Sequence, residues 1–278
     1  MFSQPTRKRF GQHWLTSEAV LRRIVAAAAV TAQDIVLEIG PGTGVLTQSL
    51  LPLAQAVVAV EIDRDLYQRL SQKFAQKPNL HLIQGDFLTL DRTALELPTP
   101  PVLESLRSRP NKVVANIPYY ITGPILENLL GTIASPNPQP YDSIILLVQK
   151  EVAQRLYAKP GTRAFGALSV RVQYLADCEL VCPVPAKAFQ PPPKVDSAVV
   201  QLRPRALAVA AANPAYLAQL VRLGFASKRK MLRNNLKATV DRDLLLTILT
   251  ELAIDETARA EDLGVEQWVA LSNRLGQG

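Results

Sequence analysis

The residues of this 278-residue chain that could do chemistry stand where apolar runs end. Glu38 and Gly40 close "DIVLEIG", Glu61 lies near the end of "AVVAVEID", Asp86 closes "LHLIQGD" and Asn116 closes "KVVAN". In "EIGPGTG" the glycines Gly40, Gly42 and Gly44 let a backbone approach a ligand closely and let the next helix pack tightly, as dinucleotide and adenosyl cofactors both require. The spacing lacks the final glycine of the dinucleotide fingerprint, because Val45 and Thr47 occupy the candidate positions. A carboxylate at Glu61 can accept from two ribose hydroxyls, and one at Asp86 from an exocyclic adenine amine, with Phe87 as apolar packing beside it. Each feature also has a plainer reading: a tight strand-to-helix turn, a solvated loop glutamate, a helix or turn cap. Three polar strand ends in succession suggest one adenosine-shaped ligand. Past them, Asn116-Ile117-Pro118-Tyr119 sets an amide, a rigid proline and an aromatic ring together just as another apolar run stops.

The elements that must position these residues alternate between strand and helix. A helix with Leu21, Ile24, Val25 and Ala28 on one face precedes the first apolar strand, Asp34 to Gly40. Asp63 is placed to cap a helix carrying Leu66, Leu70 and Phe74, and Pro124 suits the first turn of a helix over "GPILENLL", before a strand at Tyr141 to Gln149. This alternation predicts a doubly wound α/β sheet of Rossmann-like form, with ligands at the carboxyl ends of its strands. Beyond about residue 160, "ALSVRVQYLAD" and "SAVVQLRP" read as strands that extend the sheet antiparallel, on either side of a proline-rich stretch. From Asn213 the pattern is helical, with Leu217, Leu220, Val221 and Leu223 opening the first helix and Trp268 and Leu271 in the last. A boundary near Arg205 is expected, separating residues 1–205 from a small all-helical domain at 206–278.

Composition narrows the partners. A chain that is 48% hydrophobic can bury a sizeable core. "IVAAAAV" is too short to span a bilayer and the first residues lack the apolar core of a signal peptide, so a cytoplasmic protein without a membrane partner is expected. Cys178 and Cys182 have neither His13 nor His81 nearby in sequence, which points to ordinary thiols and no metal site. The net charge of +7 concentrates at Arg7 to Arg9 and in "SKRKMLRNNLK", Ser227 to Lys237, where Lys228, Arg229, Lys230, Arg233 and Lys237 form either a positive surface for phosphates or a solvated helix.

Taken together, "GQHWL", "EIGPGTGVLT", "VEID", "GDF", "NIPYYITGPIL", "QKEVAQRL", "FGALSV", "FQPPPKVDSAVV" and "KRKMLRNNL" resemble the ribosomal RNA adenine dimethyltransferases that modify small-subunit RNA. The motifs recur in the family's order along nearly the whole chain. The resemblance implies an S-adenosylmethionine (SAM)-dependent enzyme that places two methyl groups on N6 of each of two adjacent adenosines near the 3′ end of 16S rRNA. It implies a SAM-binding catalytic domain followed by a helical domain that recognises RNA in the small ribosomal subunit or its precursor, in a protein acting as a monomer.

Carried over by position, the resemblance makes His13, Leu15, Gly40, Glu61, Asp86 and Asn116 cofactor contacts, with Trp14 where the family often has phenylalanine. Adenine N6 is a poor nucleophile because its lone pair is delocalised into the ring, so the amine must be held with that pair aimed at the methyl group. The Asn116 side-chain oxygen and a carbonyl of the Ile117-Pro118 turn are the implied acceptors of the two N6 hydrogens. Tyr119 is the implied stacking partner of the extruded base, its ring face mattering more than its hydroxyl, and Phe189 the second aromatic. Lys228, Arg229, Lys230 and Arg233 are the implied RNA contacts. Three alternatives stand beside this reading. A nicotinamide oxidoreductase is disfavoured by the missing glycine. A large-subunit RNA methyltransferase of the antibiotic-resistance type is disfavoured by "KRKMLRNNL" and the long helical tail. A ribosome-assembly factor acting mainly by binding is compatible with catalysis.

Overall fold

A computed structural model describes residues 13–97 and 108–276. Its strands are β1 (Trp14–Leu15), β2 (Ile35–Ile39), β3 (Ala56–Glu61), β4 (Leu80–Gln84), β5 (Lys112–Asn116), β6 (Ser143–Gln149), β7 (Ala176–Val184), β8 (Phe189–Gln190) and β9 (Ser197–Pro204). Its helices are α1 (Glu18–Ala28), α2 (Val45–Leu50), α3 (Arg64–Lys73), α4 (Thr122–Leu130), α5 (Lys150–Leu156), α6 (Ala167–Leu175), α7 (Pro214–Gly224), α8 (Leu232–Leu236), α9 (Arg242–Glu251) and α10 (Val265–Leu275).

Seven strands form one sheet in the order β4-β3-β2-β5-β6-β9-β7. The chain runs outward from β2 to β4, then returns to β5 on the other side of β2, so the order reverses between β2 and β5. Pairing is parallel from β4 through β6 and antiparallel between β6 and β9. Every residue of β2 and β3 is buried, which is why these strands read as unbroken apolar runs closed by Glu38-Ile39 and Glu61. Asp63 caps α3 by accepting from the Asp65 and Leu66 amides, as its position predicts. A two-stranded ladder, β1 with β8, pairs Leu15 with Phe189 and Trp14 with Gln190.

One expected strand is a helix. "ALSVRVQYL" forms α6, where polar Ser169, Arg171 and Gln173 alternate with apolar residues and imitate a strand pattern. Their polar groups serve the helix instead. Ser169 Oγ accepts from the Gly166 amide and donates to the Arg155 carbonyl, and Gln173 Nε2 donates to the carbonyls of Leu156 and Ala158 at the end of α5.

The chain forms two compact units. The first runs to Leu129 and includes Gln139–Ala153 and Glu179–Arg203; the second takes Leu130–Pro138, Gln154–Cys178 and everything from Pro204. The last crossing lies beside the expected boundary at Arg205, but a single cut there omits two earlier excursions. The physical reason is α6, which packs against α7 and α10 and so joins the helical unit. Within that unit Leu217, Leu220, Val221, Trp268 and Leu271 are buried.

At the start of the sheet a polar knot ties β2 to β5. Asn111 accepts from the Ile35 amide (2.9 Å) and donates to Asp34 (2.7 Å) and Asp142 (2.8 Å). Asp34 accepts from the Thr31 amide and hydroxyl, and Lys112 lies 3.0 Å away. Burial alone would raise the Asp34 carboxyl, but the Asn111, Thr31 and Lys112 donors overcome it and hold the group at about 2. A depressed carboxyl stabilises the fold above its ordinary 3.8 and loses that contribution as pH falls through about 2. Asp34→Ala is expected to cost about 3 kcal/mol, because it strands buried donors, and to make the fold less sensitive to acid below about pH 4. Urea melts of both proteins at neutral and acidic pH check this.

Candidate active site

A cavity opens at the carboxyl ends of β2, β3, β4 and β5, beside the reversal in strand order. Its lining includes His13, Trp14, Leu15, Gly40, Glu61 and Asp86. Asn116, Ile117, Pro118 and Tyr119 form a further wall. The strand ends expected to share one ligand therefore do share one cavity, together with Glu38, which sequence gave a place but no role.

The glycine loop is shaped by its neighbours. A Cβ on Gly42 would stand 2.4 Å from the Trp14 ring, and one on Gly44 would stand 2.6 Å from Phe74 and 2.8 Å from Leu70. Both have positive φ, +60° and +76°, so a side chain would be strained as well as blocked. Trp14 thus fills the role of a large aromatic against the loop.

Glu61 clamps this loop to the next helix. Its Oε2 accepts from the Gly42 amide (3.1 Å) and its Oε1 from the Asp63 amide (2.9 Å). Each oxygen keeps a further lone pair, the number that a ribose diol would use. Burial pushes the Glu61 carboxyl up, while these amides hold it down. Asp86 accepts from the Leu88 amide through Oδ1 (2.9 Å), a turn-capping bond, and its residue also lines the cavity. The plain reading of Asp86 as a turn cap is therefore true in part, whereas Glu61, buried at the end of β3, is not a solvated loop glutamate. Phe87 is buried and does not line the cavity.

Glu38 differs. Burial, the largest cause, lifts its carboxyl from an ordinary 4.5 to about 8; the Glu61 charge adds to the rise, and the Thr47 hydroxyl, 2.7 Å from Oε2, opposes it. Glu38 is thus neutral at pH 7 while lining the cavity.

On the other wall, Asn116 Nδ2 donates to the His13 carbonyl (3.4 Å), which leaves the amide oxygen as its acceptor end. His13 Nδ1 lies 2.8 Å from the Pro191 carbonyl, and because a carbonyl only accepts, Nδ1 carries the proton. The His13 and Tyr119 rings stack with centroids 6.1 Å apart. The Tyr119 hydroxyl reaches Ser197 Oγ at 2.6 Å, a partnership that no sequence motif announced.

Phe189 corrects an expectation. Its side chain is 2% exposed, joins the core cluster with Leu15, Val184 and Val199, and does not line the cavity. Successive strand residues face opposite ways, and in β8 the exposed one is Gln190. Phe189 supports the segment carrying His13 to Leu15 and offers no face to a base.

In the helical unit, Lys228, Arg229 and Lys230 are exposed on the turn before α8. Lys228 Nζ donates to the Phe165 carbonyl (3.3 Å) and Arg233 lies 4.0 Å from Glu256, so two of the four expected RNA contacts already have protein partners. Arg229 and Lys230 make no side-chain hydrogen bond or ion pair among the described residues. Arg7 to Arg9 lie outside the described residues. Among the described residues no helix is long and apolar enough to cross a membrane, and no cluster of metal-ligating side chains occurs.

A doubly wound sheet with a glycine loop and two acids, Glu61 and Asp86, at adjacent strand ends around one cavity fits a SAM-dependent methyltransferase of Rossmann-like fold. The donor set fits that cofactor, since the loop has no fingerprint for a pyrophosphate. The profile of the ribosomal RNA adenine dimethylases matches residues 3–277, and the chain belongs to that family. It is similar to the ribosomal RNA small subunit methyltransferase A of Trichormus variabilis, 62% identical over 97% of this chain and 98% of the relative. Among solved structures it resembles a dimethyladenosine transferase from Plasmodium falciparum, at 28% identity and TM-score 0.76, covering 93% of this chain and 96% of the other. It also resembles the 23S rRNA methyltransferase ErmE, at 29% identity and TM-score 0.73, covering 95% and 100%.

The raised Glu38 carboxyl gives the fold a pH dependence of definite sign. A folded pKa above the unfolded value stabilises fully below about 4.5, and that contribution is lost as pH rises through about 8. Glu38→Gln keeps an acceptor for Thr47 and cannot ionise, so its stability should fall less between those limits than that of the wild type. Thermal melts across the range test this. Glu61, raised in the same direction, keeps part of the slope.

Proposed function

We propose that this protein transfers methyl groups from SAM to N6 of two adjacent adenosines near the 3′ end of 16S rRNA, two to each, in the small ribosomal subunit or its precursor in the cytoplasm. The observation that carries this reading is that the Asn116-to-Tyr119 wall and the Glu61 clamp line one cavity. One side of the cavity is equipped for an adenosyl group and the other for a second planar base.

His13, Leu15, Gly40, Glu61 and Asp86 hold the cofactor, and Asn116 stands between cofactor and base. When bound, the cofactor supplies an electrophilic methyl group on a sulfonium. Asn116 Oδ1 and a carbonyl of the Ile117-Pro118 turn accept the N6 hydrogens and fix the amine, whose positive charge on transfer develops beside the Tyr119 ring. No strong base is required before attack. The helical unit recognises RNA, with Arg229 and Lys230 as its readiest phosphate contacts.

Incubating the protein with radiolabelled SAM and unmethylated 30S particles or 50S precursors, then mapping the label, tests this function. Label at two adjacent 16S adenosines is expected; label confined to 23S RNA would replace the substrate. In single-turnover assays Asn116→Ala should slow transfer on the order of 100-fold with RNA affinity nearly unchanged, and wild-type transfer by that variant would remove Asn116 from the chemistry. Replacing both Arg229 and Lys230 with Ala should lower the slope of log affinity against log salt by about 1.4–1.8 for two lost phosphate contacts. Filter binding over a salt series measures it, and an unchanged slope would return this turn to a merely solvated surface.

A further inference from the structure

The Tyr119 ring is constrained from two sides. One is the stack on His13, at 6.1 Å and an interplanar angle of 23°; the other is the 2.6 Å bond between its hydroxyl and Ser197 Oγ. Ser197 has no exposed surface and opens β9, where its backbone pairs with Gln149 of β6. The residues that follow it, Ala198, Val199 and Val200, are buried and apolar. A hydroxyl at such a position is costly unless bonded, and the bond it makes is to Tyr119. The strand that carries it is fixed by six register pairs with β6, so Ser197 is a rigid anchor for a ring on a short turn, Tyr119–Ile121.

We infer that Ser197 is a positioning residue for methyl transfer, holding the Tyr119 ring in one orientation so that an incoming adenine meets a preset stacking face. The inference rests on the reading of Tyr119 as the stacking ring. A free tyrosine ring at a cavity wall samples rotamers, and each must be abandoned when a base docks. Tethering the far end of the ring removes that ordering from the reaction step, where misplacement of the amine lowers the rate. Burial pushes the Tyr119 phenol up, so the hydroxyl stays protonated and able to bond at neutral pH. The tie also changes an expectation from sequence. Tyr119→Phe keeps the ring face but removes the anchor, and it leaves Ser197 with an unpaired buried hydroxyl.

The test is a double-mutant cycle on Ser197→Ala and Tyr119→Phe, read by single-turnover transfer to saturating ribosomal particles. Each single variant should be about three- to tenfold slower, the rate equivalent of one net hydrogen bond. The double variant should be no slower than the slower single, since both lose the same bond. The particle KM and the affinity for S-adenosylhomocysteine should stay within about twofold, separating positioning from binding or global damage. Ser197→Thr, which retains the hydroxyl, should recover most of the rate. Multiplying effects in the double variant, or a wild-type rate in Ser197→Ala, would overturn the inference.

A second arm needs no RNA. In protein labelled with 3-fluorotyrosine, the 19F resonance of Tyr119, identified by its loss in Tyr119→Phe, should shift in Ser197→Ala while the other tyrosine resonances stay. An unmoved resonance would dispose of the tie. Absence of any transfer by the wild type would instead remove the proposed function and leave this arm to decide the anchoring.

Discussion

The polar knot centred on buried Asp34 and Asn111, with Lys112 and exposed Asp142 at its edge, ties together the two strands on which the site depends. Strands β2 and β5 are the pair across which the chain reverses, and their facing side chains are almost wholly apolar. To the register that burial of these strands already favours, the hydrogen bonds from Asn111 to Asp34 and from the Ile35 amide to Asn111 add a directional constraint that accepts only one alignment. That alignment is carried upward by the regular rise of the strands, about 3.3 Å per residue. Glu38 lies four residues beyond Asp34 and Asn116 five beyond Asn111, so a bond at the bottom of the sheet sets where acid and amide emerge at its top.

At the top, two carboxyls on neighbouring strands are both raised by burial but are opposed by different donors. Glu61 is met by two backbone amides, which no rotamer change removes, and these support its ionised form. Glu38 is more deeply enclosed, has the Thr47 hydroxyl as its donor and stands within the field of Glu61, so it holds its proton. The result is a cavity wall in which two raised carboxyls differ in their donors, backbone amides for Glu61 and the Thr47 hydroxyl for Glu38.

Much of this was legible in the sequence because parallel strands buried on both faces read as apolar runs, and ligands gather at the ends of such runs. Gly40, Glu61, Asp86 and Asn116 are all found there. What was not legible depends on partners far along the chain or on which face a residue takes. The strand-like alternation of α6 arose from Ser169 and Gln173 bonding to the carbonyls of the preceding helix, a use of polar side chains that periodicity cannot distinguish from solvent exposure. Phe189 was placed at the base by motif and is turned into the core by the pleat of β8. Ser197 lies 78 residues from Tyr119, and only the antiparallel pairing of β9 brings the two together.

The short segment from His13 to Leu15 connects the two halves of the chemistry. Its residues line the cavity where the cofactor is proposed to sit, yet its His13 carbonyl receives the Asn116 amide and its His13 ring stacks on Tyr119, both on the wall proposed for the base. The segment has two strand residues of its own and is held by pairing to β8, by the Thr16 amide and hydroxyl on the Ala188 carbonyl, and by Leu15 in the core with Phe189. One short segment therefore touches both the acceptor amide and the ring, which suits a reaction whose nucleophile is weak and whose rate depends on alignment more than on any strong base.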